Sequence, residues 1–383
     1  MEERKRLLSL DVFRGITIAG MILVNTPGDG GHTYAPLQHA HWHGNTPTDW
    51  VFPFFLFIMG VSVPLALGSR IQAGADRRKI MFKILKRTLI IFAVGLFLYG
   101  FPYFDLAHQR IPGVLQRIAL VYFFCSLIFV YTESWRTQLW IAAGLLVLYW
   151  ILMTVVPVPW ADGTIPANLD MLQNLGTWLD RVVLGENHMY HGEWVNGAPV
   201  AFDPEGILST IPSIATGLAG VLTGNWLKTP RSDYEKLTGM FAIGVVLIAL
   251  GAIWDPLFPI NKKLWTSSYV LYQAGIALLF LGVVYWVVDV LGYKRWTKPF
   301  VVFGTNALFA YFMSELIAIA MYSIPVTKAN GETQSLFEGV YNSVFAPLFA
   351  SPYNASLAFA IAFVLLILSL TWILYWRKIF IRA

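Results

Sequence analysis

The densest chemistry in the 383-residue chain lies between Asn25 and Pro53: Asn25-Thr-Pro-Gly-Asp-Gly-Gly-His32, then His39-Ala-His41-Trp-His43-Gly44, then Asp49-Trp-Val-Phe-Pro53. Histidines at alternate positions could share one face of an extended segment and bind zinc or copper. No pair has the four-residue helical spacing, however, and the nearby acids would have to converge through the fold. A base is the more economical reading, and no metal is expected. Imidazole titrates near neutrality and is the usual proton acceptor when an amine or hydroxyl attacks a carbonyl.

A second set of polar residues interrupts long apolar runs, where ionisable groups are costly and are normally paired or cavity-facing. Asp11 and Arg14 are three apart and share a helix face. They make either a local ion pair that orients the helix, or an anion site in which Asp11 fixes the rotamer of Arg14. Gln116 and Arg117 end the run Arg110-Ile-Pro-Gly-Val-Leu-Gln-Arg117. At 1.5 Å per residue Arg117 lies roughly 10 Å deeper than Arg110, too deep to snorkel and in need of a partner. Asn306, Tyr311 and Glu315 share another apolar run, and Asp203-Pro-Glu205-Gly opens a further one, where Glu205 either caps a helix or serves a site.

The elements that position these residues follow from composition. The chain is 57% hydrophobic and 13% charged, where soluble proteins carry about 25% charge, and its mean hydropathy is +0.60. A polytopic, all-α membrane protein is expected. Its single cysteine, Cys125, excludes an intrachain disulfide or a thiolate metal cluster. Runs of about 20 apolar residues give ten spans, at roughly 10–27, 49–68, 82–101, 111–131, 137–157, 205–224, 237–254, 265–290, 300–323 and 355–376. Asp11 and Arg14 break any signal-peptide pattern, so the first span is expected to be retained.

Orientation follows from the cations. One side collects twenty of the 27 Lys and Arg: Arg4, Lys5 and Arg6, seven between Arg70 and Arg87, Arg136, Lys228, Arg231, Lys236, Lys294, Arg295, Lys298, Arg377, Lys378 and Arg382. The other side has Arg110, Arg181, Lys262, Lys263 and Lys328. Both termini are therefore expected in the cytoplasm, and the net charge of +5 marks topology, not nucleic-acid binding. All seven histidines fall on the far side. So does the long 158–203 connection, with Asp162, Asp170, Asp180, Glu186, Glu193, Trp160, Trp178, Trp194 and Tyr190 suited to a sugar-like ligand or to a covering lid. No internal repeat is evident, and 1–383 reads as one transmembrane domain.

The ordered runs Ser9-Leu-Asp-Val-Phe-Arg-Gly15, Gln38 to Gly44, Asp49 to Gly60, Arg110 to Arg117, Asp203 to Gly206, Asn261-Lys-Lys-Leu-Trp265 and Asn306 to Glu315 resemble a bacterial short form of the heparan-α-glucosaminide N-acetyltransferase family. The resemblance extends along nearly the whole chain. It implies a membrane-embedded acyltransferase of the cell inner membrane that moves an acetyl group from cytoplasmic acetyl-CoA to the amino group of a glucosamine-type acceptor outside, a small amino sugar or a cell-wall fragment. The family's histidine segment, His-Ala-x-Trp-x-Gly, falls on His39, Trp42 and Gly44. His41 and His43 inherit no role. Asn25 and Asp49 match neighbouring polar positions and join His39 as the expected catalytic set. Arg14, Asp11 and Arg117 are the expected donor-binding residues, and Glu205, Asn306, Tyr311, Glu315 and Trp265 the expected acceptor-binding ones. The resemblance also allows a homodimer.

On this reading the basic Arg70–Arg87 connection holds the nucleotide of acetyl-CoA, unless its cations serve membrane retention alone. The arm reaches inward on the order of 15–20 Å. His39 takes a proton from the acceptor as nitrogen attacks the thioester, and Asn25 or a nearby donor steadies the oxyanion. The alternative is a solute or proton-coupled transporter with Arg14, Arg117 and Glu315 along its route.

Overall fold

The computed structural model describes residues 7–132, 134–160, 163–328 and 331–381. Arg4, Lys5, Arg6, Asp162 and Arg382 lie outside the described residues. The long helices are α1 (Leu8–Asn25), α2 (Val51–Gln72), α3 (Arg77–Gly100), α4 (Val114–Tyr131) and α5 (Trp135–Val155). The short α6 (Leu175–Leu184) precedes α7 (Thr210–Leu227), α8 (Asp233–Trp254), α9 (Ser267–Tyr285), α10 (Lys298–Thr305) and α11 (Ala307–Ser323). A one-turn α12 (Leu336–Val340) and α13 (Pro352–Trp376) complete the order. The strands form three isolated antiparallel hairpins, β1 (Val158–Trp160) with β2 (Gly163–Ile165), β3 (Glu193–Val195) with β4 (Ala198–Val200), and β5 (Pro325–Thr327) with β6 (Thr333–Ser335).

Among the described residues seven helices are long and apolar enough to cross a membrane, or eight if the bent pair α10 and α11 counts as one span. Helices α3 and α7 occupy the places expected for two more spans without meeting that composition. Helix α3 carries Lys83, Lys86 and Arg87 inside its apolar length. Helix α7 is diluted by glycine, threonine and Asn225, and 12 of its 18 residues are buried, so it has little surface to offer lipid. Its small residues let helices touch. A Cβ at Gly60 of α2 would stand 2.0 Å from the Gly217 carbonyl oxygen, and one at Gly220 would stand 2.0 Å from that of Phe57. Close backbone approach of this kind replaces the missing hydrophobic drive between helices in lipid. The periphery, by contrast, exposes Trp140, Ile253 and Trp376 from α5, α8 and α13.

Three expected boundaries shift, each for a local reason. Helix α4 begins at Val114 because Pro112-Gly113 precedes it, so Arg117 sits in the first helical turn and not inside a span that starts at 111. Helix α7 begins at Thr210, after a turn through Asp203–Ser209, and Glu205 does not cap it. The expected ninth span breaks by 84° at Asn306. The long 158–203 connection is partly folded, with two hairpins and α6, and packs on Tyr149, Phe258 and Leu264.

Candidate active site

His39 is held by the entry turn of α2. Pro47–Trp50 forms a 3-10 turn with a capping box, in which Asp49 accepts the Thr46 backbone N–H at 3.0 Å. The same carboxylate accepts the Ala40 N–H at 3.1 Å and lies 2.6 Å from His39 Nδ1. An ionised carboxylate only accepts, so Nδ1 carries the hydrogen and Nε2 presents its lone pair. Asp49 is fully buried, whereas the His39 side chain is 42% exposed. Burial lowers the His39 pKa below its ordinary 6.5, neighbouring Lys262 lowers it further, and the Asp49 hydrogen bond opposes both.

The rest of the histidine segment works as a clamp. Trp42 donates its indole N–H to the Leu169 carbonyl at 3.1 Å and packs edge-on against Phe202, joining the loop to the long connection. Gly44 takes φ +113°, where a side chain would be strained, and donates to the Ile260 carbonyl at 2.8 Å. His43 Nδ1 lies 3.3 Å from the Asn261 amide. Opposite His39 stands Lys262, with Nζ 3.1 Å from Nδ1, 3.2 Å from Nε2 and 3.9 Å from Asp49. Its turn is fixed by buried Asn261, which accepts the Leu264 N–H at 2.8 Å, and by Trp265 at φ +55°. Sequence reasoning missed Lys262, which looked like one of the few outer-loop cations.

Below this group lies a layer of paired charges. Arg110 forks onto Asp203 at 2.9 and 2.7 Å and reaches Glu205 at 2.6 Å. Its guanidinium lies between the Tyr99 and Tyr190 rings, 5.0 and 4.8 Å from their centroids. Glu205 is thus an ion-pair partner; burial lowers the Lys262 pKa below its ordinary 10.5, and Asp49 and, next, Glu205 oppose that shift. Arg117 is fully buried, donates to the Gly206 carbonyl at 2.9 Å and to Ser209, and faces the Trp265 ring at 5.2 Å. Trp265 in turn packs edge-on against Tyr269, whose hydroxyl donates to the Asp49 carbonyl at 2.6 Å. Arg117 and Trp265 therefore form the floor under Asp49. Asp180, expected on a ligand-facing loop, is instead buried and accepts the Ile207 N–H at 2.7 Å; burial raises its pKa to about 7. Glu193 pairs with Lys263 at 2.7 Å.

Apart from this group lies a cavity of about 930 Å³. Arg70, Lys83, Lys86 and Arg87 line it together with Asp11 and Arg14, and apolar residues such as Met21, Ile91 and Ile118 form its walls up to Tyr311. Arg14 donates to Ser62 at 2.8 Å and to the Gly304 carbonyl at 3.2 Å, and lies 3.4 Å from Asp11. Neither His39 nor Arg117 lines this cavity. Beyond Tyr311 its hydrogen-bond partner Glu315 accepts the Asn25 amide at 3.3 Å. Asn306, at the helix break, spends its amide on the tail, donating to the Ile379 carbonyl at 3.1 Å and accepting the Ile381 N–H at 2.9 Å. Among the described residues no group of three His, Cys, Asp or Glu side chains is arranged to hold a metal ion.

The sequence profile of the family described as heparan-alpha-glucosaminide N-acetyltransferase, catalytic, matches residues 6–253. Proteins named heparan-alpha-glucosaminide N-acetyltransferase are similar over 311 residues, at 30% identity in Mus musculus and 31% in Homo sapiens. The match takes in 69% of this chain and 46% of each relative, so the chain spans about half the length of the curated relatives it matches. The transport alternative finds no support in these matches. The match of the family profile to most of the chain, together with relatives at 30% and 31% identity, shows that the chain belongs to the heparan-alpha-glucosaminide N-acetyltransferase family.

Proposed function

We propose that the protein transfers an acetyl group from cytoplasmic acetyl-CoA, across a cell inner membrane, to the amino group of a glucosamine-type acceptor on the far side. Ten membrane passes with both termini cytoplasmic fit this reading, since the positive-inside rule then places Arg70, Lys83, Lys86 and Arg87 at the cytoplasmic mouth of the cavity. The observation that carries it is the cavity that runs from those cations along α1 toward Asn25. Asp11 and Met21 both line the cavity and are about 15 Å apart along α1, which leaves roughly 6 Å of helix to Asn25. An extended pantetheine arm covers a distance of that order.

The cations hold the anionic nucleotide, Arg14 meets the donor inside the mouth, and the apolar wall receives the arm. Asn25 and Glu315, where the cavity gives way to polar residues, orient the acceptor amine. His39 Nε2 accepts the proton as nitrogen attacks the thioester carbon, and Asp49 stabilises the imidazolium that forms. The protein purified in detergent, incubated with acetyl-CoA and a panel of amino sugars, should release free CoA and yield a sugar heavier by one acetyl group. Solute counterflow in liposomes without CoA release, and no acetylated sugar, would overturn the reading.

A further inference from the structure

Lys262 is the closest cation to the proposed base, and its placement is unusual for a lysine that only fills a loop. Its Nζ is almost equidistant from the two ring nitrogens of His39, at 3.1 and 3.2 Å. An in-plane position equidistant from both at that range would collide with Cε1. The ammonium therefore stands over the face of the imidazole, out of the ring plane. Little of the lysine reaches solvent, since its side chain is 18% exposed. The turn that carries it is fixed by fully buried Asn261 and Trp265.

Charge balance then assigns a task to this cation. At rest Asp49 is negative, Lys262 positive and His39 neutral, so the three sum to zero. If His39 took a proton with nothing else changing, a second cation would stand about 3 Å from the first in a partly buried site, which is costly. The cost disappears if a negative charge forms beside Lys262 in the same step. The thioester carbonyl oxygen becomes such a charge when nitrogen attacks.

Resting on the acetyl-transfer reading above, we infer that Lys262 is the oxyanion stabiliser of the reaction: its ammonium receives the negative charge on oxygen while His39 Nε2 takes the proton. The acceptor nitrogen bonds to the carbonyl carbon, the carbonyl electron pair moves to oxygen beside Lys262, and the amine proton passes to His39. When the carbonyl re-forms, the carbon–sulfur bond breaks, and the imidazolium returns its proton to the departing thiolate. No other reactant is needed. Lys262 thereby links proton uptake by the base to charge formation on the substrate, an interaction stronger in the transition state than in the ground state.

The test compares the wild type with Lys262→Met, Lys262→Arg and His39→Ala, measuring kcat, KM and acetyl-CoA affinity between pH 5 and 9. The charged groups acting on His39 are Asp49, Lys262 and, more weakly, Lys263, itself paired with Glu193. In Lys262→Met kcat should fall on the order of 10²-fold at every pH, with donor affinity retained as the check on folding. Its acid limb should also move to higher pH, because the cation that disfavours imidazolium is gone. Lys262→Arg, which keeps a cation at altered geometry, should recover part of the loss. If Lys262→Met regains the wild-type kcat above its shifted limb, the lysine only sets the pKa of the base and the inference fails. Should His39→Ala abolish transfer while Lys262→Met leaves kcat within threefold, this inference falls and the acetyl-transfer reading stands. A wild type that acetylates no amino sugar removes that reading itself.

Discussion

The two ends of the protein hold charge in opposite ways. At the mouth proposed to take the donor, Arg70, Lys83, Lys86 and Arg87 gather four like charges around a wide cavity with apolar walls. Around His39 and beneath it, several strong charges have a close partner: Arg110 with Asp203 and Glu205, Lys263 with Glu193, Asp49 with His39. An unbalanced, hydrated mouth attracts a polyanion and tolerates loss of one cation, because neighbours and salt share the field. A buried, balanced cluster tolerates no such loss. The difference separates grip from chemistry: substitutions at the mouth should act on KM, and substitutions at the outer end on kcat or on folding.

The largest effect should come from the base. His39→Ala should lower kcat by about 10²- to 10⁴-fold while acetyl-CoA binds as before, since His39 does not line the donor cavity. In the wild type the acid limb of kcat/KM should have its midpoint below 6.5, because burial and Lys262 keep the ring unprotonated to lower pH. The same sign holds for stability: the neutral ring contributes fully above 6.5, and that contribution is lost as pH falls below it. A midpoint above 7, or a His39→Ala protein within tenfold of wild type, breaks the assignment of chemistry to the outer end.

Next comes the paired layer. Arg110→Met strands two carboxylates, Asp203 with no exposed side-chain surface and Glu205 with 9%. Breaking a buried pair in this way costs about 3–5 kcal/mol, so the detergent-solubilised variant should melt many degrees lower or fail to accumulate. Recovery of normal melting with Arg110→Met would mean that the layer is wetter than its burial indicates.

Much of this contrast is written locally in the sequence, and some of it is not. Apolar runs of about 20 residues mark helices because lipid offers the backbone no other partner, and the acids and cations inside them are legible as exceptions. His39 and Asp49 are ten residues apart and joined by one turn, so their meeting is a short-range matter. Lys262 is 223 residues from His39 and is brought there by a loop whose cation count signals only topology. Helix arithmetic from Arg110 does not apply to Arg117, because Pro112-Gly113 delays α4 to Val114 and the chain before it is not helical. Asn306 looks like a ligand-binding residue inside an apolar run, yet the chain bends there and the amide satisfies backbone groups of the tail. Tertiary convergence and irregular backbone are what local pattern does not carry.

A smaller effect sharpens the comparison from the mouth. Replacing both Lys83 and Lys86 with Gln should raise the KM for acetyl-CoA roughly 3- to 10-fold, since each exposed charge contact contributes about 0.2–1 kcal/mol. The change should shrink as ionic strength rises, because screening already weakens the wild-type attraction. Steady-state kinetics at two salt concentrations reads both quantities, with kcat expected to stay constant. A fall in kcat with KM unchanged would place these lysines at the reacting group and erase the division between the two ends.

The smallest effect concerns a carboxyl that is buried without a cation bonded to it. Asp180 accepts the Ile207 N–H beneath the Asp203–Ser209 turn, and burial lifts its pKa from 3.8 to about 7. The folded state thus binds a proton that the unfolded chain releases, so stability falls as pH rises from about 4 to 7 and stays reduced above it. Asp180→Asn keeps an acceptor for Ile207 and cannot ionise. It should therefore melt a few degrees higher than wild type at pH 8 and no higher at pH 4, where both side chains are neutral. Equal melting temperatures at pH 8 would show that Arg117, which also acts on this carboxyl, already compensates its charge.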